Sequence, residues 1–192
     1  MKKNLLLIAI CLISLNTFAQ KQIYESPKLK QAIAQQKIVA ILPFTVRISY
    51  KKPPKDYDAT ANHQQEIEYG KKIQASMFTF LLRKSSNYTV TFQDPEKTNI
   101  ILTRTKLADS LDVHTKDEIA KALGVDGVIF GTYDQETTRS EAGAIVTTVV
   151  FGFGSKTGDG TLTIQVGNGA DGELLWRYTK RMNEGLFRST DD

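Results

Sequence analysis

Two continuous apolar segments constrain the fold of this chain most strongly. Residues 37–44 read KIVAILPF and residues 125–133 read VDGVIFGTY. A strand with one solvated face alternates apolar and polar residues, whereas an uninterrupted apolar run predicts a strand that is covered on both faces. We therefore expect helices to pack on a sheet that contains these two strands.

The longest helix signal lies between the two strands. An apolar stripe with three- and four-residue spacing runs through residues 64–84 and consists of Ile67, Gly70, Ile73, Met77, Phe80 and Leu81. A shorter helix is predicted over residues 26–33, where Ser26 and Pro27 form its start. Residues 88–92 (YTVTF) have the β-branched and aromatic content of a further strand.

Two more helix starts follow along the chain. Asp94 precedes a proline that is preset for a first helical turn. Thr115 and Glu118 have the spacing of a capping box, and Gly124 stands where a helix ends in the left-handed conformation. The inner face of this last helix is predicted to be Ile119, Ala120 and Leu123.

The helical period disappears after residue 134. Residues 144–153, 161–167 and 173–181 read as strands, and the segments GSKTGDG and NGADG are predicted to link them as turns of an antiparallel meander. The economical fold is α/β: one mixed sheet of about five to six strands, with helices packed on it and a meander as its C-terminal half.

The first 19 residues have the order of a secretory signal peptide. Lys2 and Lys3 precede an apolar run over residues 5–15, and small residues stand before a break after Ala19. Lipid modification of Cys11 is the alternative. Cleavage after Ala19 removes the chain's one cysteine and lowers the formal net charge from +4 to +2. We expect an exported protein, in the periplasm or on the periplasmic face of the outer membrane, without a nucleic-acid partner.

The remaining residues, 20–192, have the length of a single domain. Residues 189–192 (Ser-Thr-Asp-Asp) are helix-capping residues with no helix after them. A C-terminal helix beyond residue 192 is therefore one interpretation, and a frayed terminus is the other.

The glycine-rich segment GFGSKTGDG at residues 152–160 is predicted to be a turn and neither a catalytic nor a phosphate-binding loop. A P-loop needs a glycine directly before its lysine and a helix after it, and here Ser155 precedes Lys156 and a strand pattern follows. Lys156-Thr157-Gly158 also follows Ser49-x-x-Lys52 in the order of a penicillin-recognising serine enzyme. Pro53 pushes Lys52 toward extended geometry, so this pair cannot share a helix face. The sequence predicts no catalytic residue, cofactor or metal site.

The polar connection over residues 45–63 is the candidate interaction site. A loop of this length within a compact domain is usually functional or mobile. Its basic and aromatic residues surround Pro53-Pro54 and suit a protein partner or an anionic polymer: Arg47, Tyr50, Lys51, Lys52, Lys55 and Tyr57. Simple solvation of the charged loop remains the other interpretation.

The same connection carries a weaker enzymatic alternative. Asp56, Asp58, His63 and Glu66 have atom types that suit a hard or borderline cation. Their spacing matches no recognised site. A small periplasmic hydrolase or metal-dependent enzyme that uses residues 45–63 is therefore kept as an alternative function.

Residues 37–44, the helix over 64–84 and AKALGVDGVIFGTYD at residues 120–134 resemble the CsgG-type envelope proteins, which include the curli secretion channel subunit. Similar folds occur in outer-membrane activators of peptidoglycan synthases and in the N-terminal domain of the TolB translocation protein. A D-G-E-L-L turn at residues 171–175 is also shared. The resemblance covers about residues 37–180, and its motifs are structural.

The resemblance implies a non-catalytic protein that assembles, secretes or activates envelope machinery through protein contacts. Envelope protein partners, a homo-oligomer and association with the outer membrane are its further implications. Residues 45–63 lie where the channel proteins place their constriction loop, and Tyr57 and Asn62 are the nearest counterparts of an Asn-Phe pair that is missing here. Residues 144–153 are long enough for a membrane strand, but residues 161–167 are short. A periplasmic accessory protein is therefore favoured over a channel subunit.

Overall fold

The computed structural model describes residues 22–137 and 158–182, which form one mixed sheet with helices packed on it. Its strands are β1 (Gln22–Glu25), β2 (Ile38–Ile41), β3 (Thr45–Tyr50), β4 (Thr91–Phe92), β5 (Gly127–Thr137), β6 (Gly158–Asn168) and β7 (Leu174–Met182). Its helices are α1 (Leu29–Gln35), α2 (Ala59–Leu82), α3 (Pro95–Arg104) and α4 (Lys116–Leu123), with a 3₁₀ turn at Ser85–Asn87. The predicted α/β fold is confirmed.

The sheet has the strand order β1-β7-β6-β5-β2-β4, and β3 also pairs with β5. Strands β2 and β3 follow one another along the same edge of β5, and both are parallel to it. Ile41 is paired with Ile129 but Thr45 is paired with Thr132, so one extra residue stands on the β2–β3 side. Pro43 lies in this break, where a residue without an N–H breaks no ladder bond.

Helix α2 packs directly on this break in the strand. The Phe44 N–H donates to the Gly70 carbonyl at 3.2 Å. A Cβ at Gly70 would overlap the Phe44 carbonyl oxygen, so this close approach requires glycine. Of the predicted stripe, Gly70, Ile73 and Met77 are buried, whereas Ile67 is exposed and Gln74 takes an inner position.

Gln74 is buried because its side-chain hydrogen bonds are satisfied. Its Nε2 donates to the Ile41 carbonyl at 2.7 Å, and the Asn99 side chain donates to its Oε1 at 3.0 Å. A polar residue at a core position of α2 therefore joins that helix to β2 and α3 without leaving an unpaired group.

Helices cover both faces of the sheet around β2 and β5. We call the face under α2 the front face, where Ile41, Val46, Ile48, Ile73 and Met77 belong to one buried cluster. The opposite, back face carries a second cluster, which consists of Ala40, Leu42, Leu102, Leu107, Ile119, Ala120, Leu123, Val125 and Val128. The predicted double cover of residues 37–44 is confirmed for β2.

The helix ends predicted at Asp94, Thr115 and Gly124 are confirmed in the structure, whereas the helix predicted from Ser26 begins only at Leu29. Asp94 accepts from the N–H groups of Glu96 and Lys97, and Thr115 and Glu118 form a capping box. Gly124 ends α4 at φ 68°. These ends depend on neighbouring residues in the chain alone, which is why the sequence predicts them well.

The C-terminal meander is confirmed with one change of partner. β6 pairs antiparallel with β5 along one edge and with β7 along the other. The predicted strand over residues 144–153 lies outside the described residues. The sequence predicts it as the partner of residues 161–167, and in the structure that partner of β6 is β5. Residues 158–160 of the glycine-rich segment begin β6 instead of forming a turn.

The sheet ends at an edge strand and an aromatic pair. The edge strand is β1, which pairs with β7 and which the sequence did not predict. On the front face of β7 the rings of Trp176 and Tyr178 stack with centroids 6.0 Å apart and planes 3° apart. Within the described ranges, no helix is long and apolar enough to cross a membrane.

Candidate functional site

The predicted loop over residues 45–63 is shorter in the structure. Its first six residues form β3, in which Val46 and Ile48 are buried and Arg47 is exposed. Helix α2 begins at Ala59, five residues before the predicted start. The expectation of one long loop was therefore wrong, because the alternating β3 pairs with β5 and buries its apolar side chains under α2. The connection that remains is residues 51–58.

The first turns of α2 hold the outer edge of β3. The Ile48 N–H donates to Glu66 Oε1 at 2.7 Å. Asn62 Nδ2 donates to the Ile48 carbonyl at 3.3 Å and to Glu66 Oε1 at 3.2 Å. Side chains of α2 thus form hydrogen bonds with backbone groups of β3 that could otherwise pair with another strand.

Asp58 fixes the far end of the connection. Its carboxylate accepts from the N–H groups of Thr60 at 2.7 Å and Ala61 at 3.2 Å, which caps the first turn of α2. Because the paired strand β3 stands before the connection and a capped helix stands after it, residues 51–58 are anchored at both ends. This N-cap is a local signal in the sequence that the prediction missed.

Three of the four residues of the enzymatic alternative have structural partners, and the fourth, Asp56, is exposed in the connection. Asp58 caps α2, and Glu66 binds β3 and also approaches His63, whose Nδ1 lies 3.4 Å from Glu66 Oε2. The His63 side chain is 73% exposed. Among the described residues no group of three or more His, Cys, Asp or Glu is placed to hold a metal ion.

The two tyrosines of the predicted interaction site are in contact. The rings of Tyr50 and Tyr57 meet edge to face, with centroids 5.6 Å apart. Burial raises the pKa of Tyr50, and the neighbouring Tyr57, Tyr69 and Glu66 raise it further. Tyr57 remains 44% exposed, so the Tyr50 ring supports the Tyr57 ring, which faces solvent.

The basic residues divide into two that form ion pairs and two that form none with the residues that the structure describes. Arg47 lies 3.2 Å from Asp134, and Lys51 lies 3.7 Å from Glu136. Both are exposed ion pairs of the kind that contribute little to stability. Lys52 and Lys55 are exposed in the connection. We call Tyr50, Lys51, Lys52, Lys55 and Tyr57 the loop surface.

The seven predicted interaction residues do not form one continuous group. Arg47 points to the back face, because its neighbours Val46 and Ile48 point to the front face. Asn62 is half-buried and holds β3. Its Oδ1 is buried without a donor among the described residues, as is Oε1 of Gln135, the strand partner of Ile48. The loop surface is thus the part of the predicted site that is both contiguous and exposed.

The conspicuous LGVDG motif has a structural role. The Asp126 carboxylate accepts from the N–H groups of Lys37 at 2.7 Å and Ile38 at 2.9 Å, which joins the start of β2 to the start of β5. These hydrogen bonds, first that of Ile38 and then that of Lys37, lower the pKa of Asp126. Sequence reasoning gave this aspartate no role, because its partners lie 88 and 89 residues away.

The turn over residues 171–175 has a similar role. Gly172 adopts φ 73°, and Asp171 accepts from the N–H of Glu173 at 3.0 Å. Glu173 in turn binds Lys28 at 2.6 Å and Ser26 at 3.1 Å, which ties the segment before α1 to β7. The hydrogen bond from Lys28 is the first cause of a lowered pKa at Glu173.

Comparisons with known proteins give likenesses of structure alone. No protein-family model and no curated protein matches the chain. A lipoprotein, GNA1162 from Neisseria meningitidis, is 13% identical, with 80% of this chain and 85% of that chain covered and a TM-score of 0.45. The LpoB C-terminal domain from Salmonella enterica is 10% identical, with coverage of 82% and 93% and a TM-score of 0.38.

A third solved structure is the PelC dodecamer from Paraburkholderia phytofirmans. It is 15% identical, covers 85% of this chain and 79% of that chain, and has a TM-score of 0.36. Likenesses of this size carry no conclusion about activity. Membership of the CsgG-type family stays a prediction from the sequence motifs.

Proposed function

We propose that this protein is a non-catalytic accessory protein of the cell envelope that acts by binding another protein through the loop surface. The proposal combines three features: a signal-like N-terminus, polar side chains in structural roles, and an exposed basic and aromatic connection on a fixed base. It corresponds to the function that the resemblance to CsgG-type proteins implies.

The loop surface carries this proposal. Tyr57 is exposed while its ring rests against Tyr50, so a partner could bury the ring without first ordering it. The capped α2 and the paired β3 hold both ends of residues 51–58, which lowers the entropy lost on binding. Tyrosines and exposed cations of this kind suit an interface with an acidic rim on the partner.

A photo-crosslinking amino acid at residue 57 tests the proposal in cells that produce the full chain. We expect discrete protein adducts at Tyr57 and few at Ile100, a matched control that is 50% exposed on α3. The double variant Lys52→Glu/Lys55→Glu should remove the adducts, because it reverses the charge beside the ring. Adducts of equal yield at both positions, or none at Tyr57, would contradict the proposal.

The enzymatic alternative is tested through His63. Its ring is exposed and its one close partner, Glu66, also serves β3, so the pair has no third group to complete a catalytic set among the described residues. We expect His63→Ala to leave every envelope phenotype of the protein unchanged. A hydrolytic turnover that His63→Ala abolishes would overturn the non-catalytic proposal.

A secretion-channel subunit is the second candidate, and one observation favours it. β5 and β6 are eleven residues each and stay paired to Thr137 and Gly158, so the chain leaves and re-enters the sheet at adjacent positions. The sequence prediction of a membrane strand over residues 144–153 concerns the segment between them. Fractionation with light scattering separates the candidates. A ring that forms only in detergent supports the channel, whereas a protein that stays in solution without detergent supports the accessory protein.

A further inference from the structure

The back face of the meander carries a regular polar surface that the proposed function does not use. Strand register places four threonines and a glutamine in a single row across five strands: Thr45, Thr132, Thr163, Thr179 and Gln22. The hydroxyls of Thr163 and Thr179 lie 3.3 Å apart. Thr163 is buried and Thr179 is partly exposed, so the accessible end of the row lies on β7 and β1.

Two arginines stand on β7 on either side of this row. Arg177 and Arg181 are both exposed, and Thr179 lies between them on the same face. Four residues of a strand place their Cα atoms about 14 Å apart. Neither guanidinium group has a hydrogen bond or an ion pair with another described residue, in contrast to the side chains of Arg47 and Lys51, which both have acidic partners.

An aromatic ring borders the arginines at the sheet edge. Tyr24 of β1 is the direct strand partner of Arg177 and is 48% exposed. On the other side Arg177 is paired with Gln165, which is paired with Phe130. Lys116 of α4 covers the Phe130 ring at 4.9 Å and closes the surface there. We call Arg177, Arg181, Tyr24, Gln165 and Thr179 the arginine face.

The chemistry of the arginine face selects among partners. A protein interface or a lipid surface needs an apolar centre, and here the central positions are threonine, glutamine and arginine. A nucleic acid carries a charge about every 1.7 Å and is held by many cations, whereas this face offers two guanidinium groups, on residues whose Cα atoms are about 14 Å apart. Sparse guanidinium groups, hydroxyls and one exposed ring suit a sugar polymer with occasional acidic groups.

We propose that the arginine face binds a linear polysaccharide in which acidic sugars alternate with neutral ones. Arg177 and Arg181 each bind a carboxylate, the Thr179 and Gln165 side chains bind sugar hydroxyls between them, and Tyr24 packs on the apolar face of a pyranose ring. The face is on the opposite side of the sheet from α2 and does not depend on the loop surface.

Calorimetric titration of the full chain with hyaluronan hexasaccharide tests the proposal, because carboxylates and neutral sugars alternate in that probe. We expect binding that weakens as salt is raised, and about tenfold or more loss of affinity in Arg177→Gln/Arg181→Gln. The double variant Lys30→Gln/Lys97→Gln removes the same charge from exposed helix positions and should bind as the wild type does. Tyr24→Ala should weaken binding about threefold or more, and Tyr24→Phe should retain it.

Three probes define the competing outcomes. Neutral N-acetylchitohexaose should bind far more weakly than the acidic probe, and equal affinity would overturn the role of the arginines. Tighter binding of poly-glutamate would assign the face to an acidic protein and overturn the proposal, as would failure to bind hyaluronan. Unchanged circular dichroism and melting temperature in the arginine variant are required for its loss of affinity to count as support.

Discussion

The two halves of the sheet differ in how their faces are covered. In the first half, β2, β3 and β5 are parallel and lie between α2 on one face and α3 and α4 on the other. In the second half, β6, β7 and β1 pair antiparallel, and the short helix α1 lies beside β7. Parallel strands need crossover helices, which then cover the faces, whereas hairpin connections bring no helix with them.

We call the first half the covered half and the second half the antiparallel half. Residues that stabilise the fold and residues that are free to bind a partner are distributed differently between them. The covered half supplies most of both buried clusters, to which β6 adds Leu162, and its polar groups, such as Gln74, join elements. The antiparallel half shows side chains on both faces: stacked Trp176 and Tyr178 in front, and Arg177 and Arg181 behind. Substitutions in the buried clusters of the covered half should therefore affect folding most, whereas those at the loop surface and on the exposed faces of the antiparallel half should affect binding.

The largest expected effect is that of Gly70→Ala in the covered half. The new methyl group would overlap the Phe44 carbonyl oxygen, so α2 must move away from the sheet. We expect a loss of about 3 kcal/mol in the free energy of unfolding, or failure to fold. Urea unfolding followed by circular dichroism measures this. Ser76→Ala, on the exposed side of α2, is the control and should change little. Equal stability of the two variants would disprove the close approach of α2 to the sheet.

A matched pair of cavity substitutions compares the halves directly. Ile119 is fully buried under the covered half, whereas Ile164 of β6 is partly buried. Ile119→Ala should cost about 4 kcal/mol and Ile164→Ala about 1.5 kcal/mol, because the cost grows with the volume of the cavity that the substitution leaves. The same unfolding measurement decides this. If Ile164→Ala costs as much, the front face of β6 is covered in the folded protein.

A smaller effect is expected at Asp126, which joins β2 to β5. Its pKa is lowered by the N–H groups of Ile38 and Lys37, so its contribution is present above the ordinary value of 3.8 and is lost as pH falls through the lower folded pKa. Asp126→Asn should cost about 1 kcal/mol at neutral pH, given its exposure. In pH-dependent thermal melts the difference from wild type should shrink below pH 3.8 and vanish once the pH is below the lowered folded pKa. The exposed Asp109→Asn serves as the control.

The smallest effect at neutral pH is expected at Tyr133. Burial raises its pKa from 10.0 to about 12, which disfavours the phenolate inside the covered half. The stabilisation is therefore present below pH 10 and is lost as pH rises toward 12. Tyr133→Phe should be nearly neutral at pH 7 and should flatten the alkaline branch of stability against pH. Tyr24→Phe, at the exposed edge, should leave that branch as it is.

The same contrast explains which features were predictable from the sequence. Helix ends at Asp94, Thr115 and Gly124 depend on residues within one turn, and the sequence predicts them correctly. Continuous apolar residues, as in residues 37–44, indicate a buried parallel strand. β3 was missed because its apolar residues alternate with polar ones over six residues only, beside two prolines that suggested a loop.

Pairing between distant segments was the least predictable feature. Nothing local in residues 161–167 indicates that β5, across the segment 138–157, is the partner of β6. For the interaction site, composition indicated the loop surface but grouped Arg47 with it, since the strand that turns Arg47 to the back face was not recognised. The arginine face has no sequence motif, because strand register alone brings its residues together.

The stacked pair on β7 makes the antiparallel half optically distinct. Trp176 is the chain's one tryptophan, and its ring lies against Tyr178 on the front face. Its fluorescence therefore reports the environment of this half, while the covered half is silent when tryptophan alone is excited. Emission and circular dichroism recorded together would show whether the two halves of the sheet lose their structure at the same denaturant concentration, without any added label.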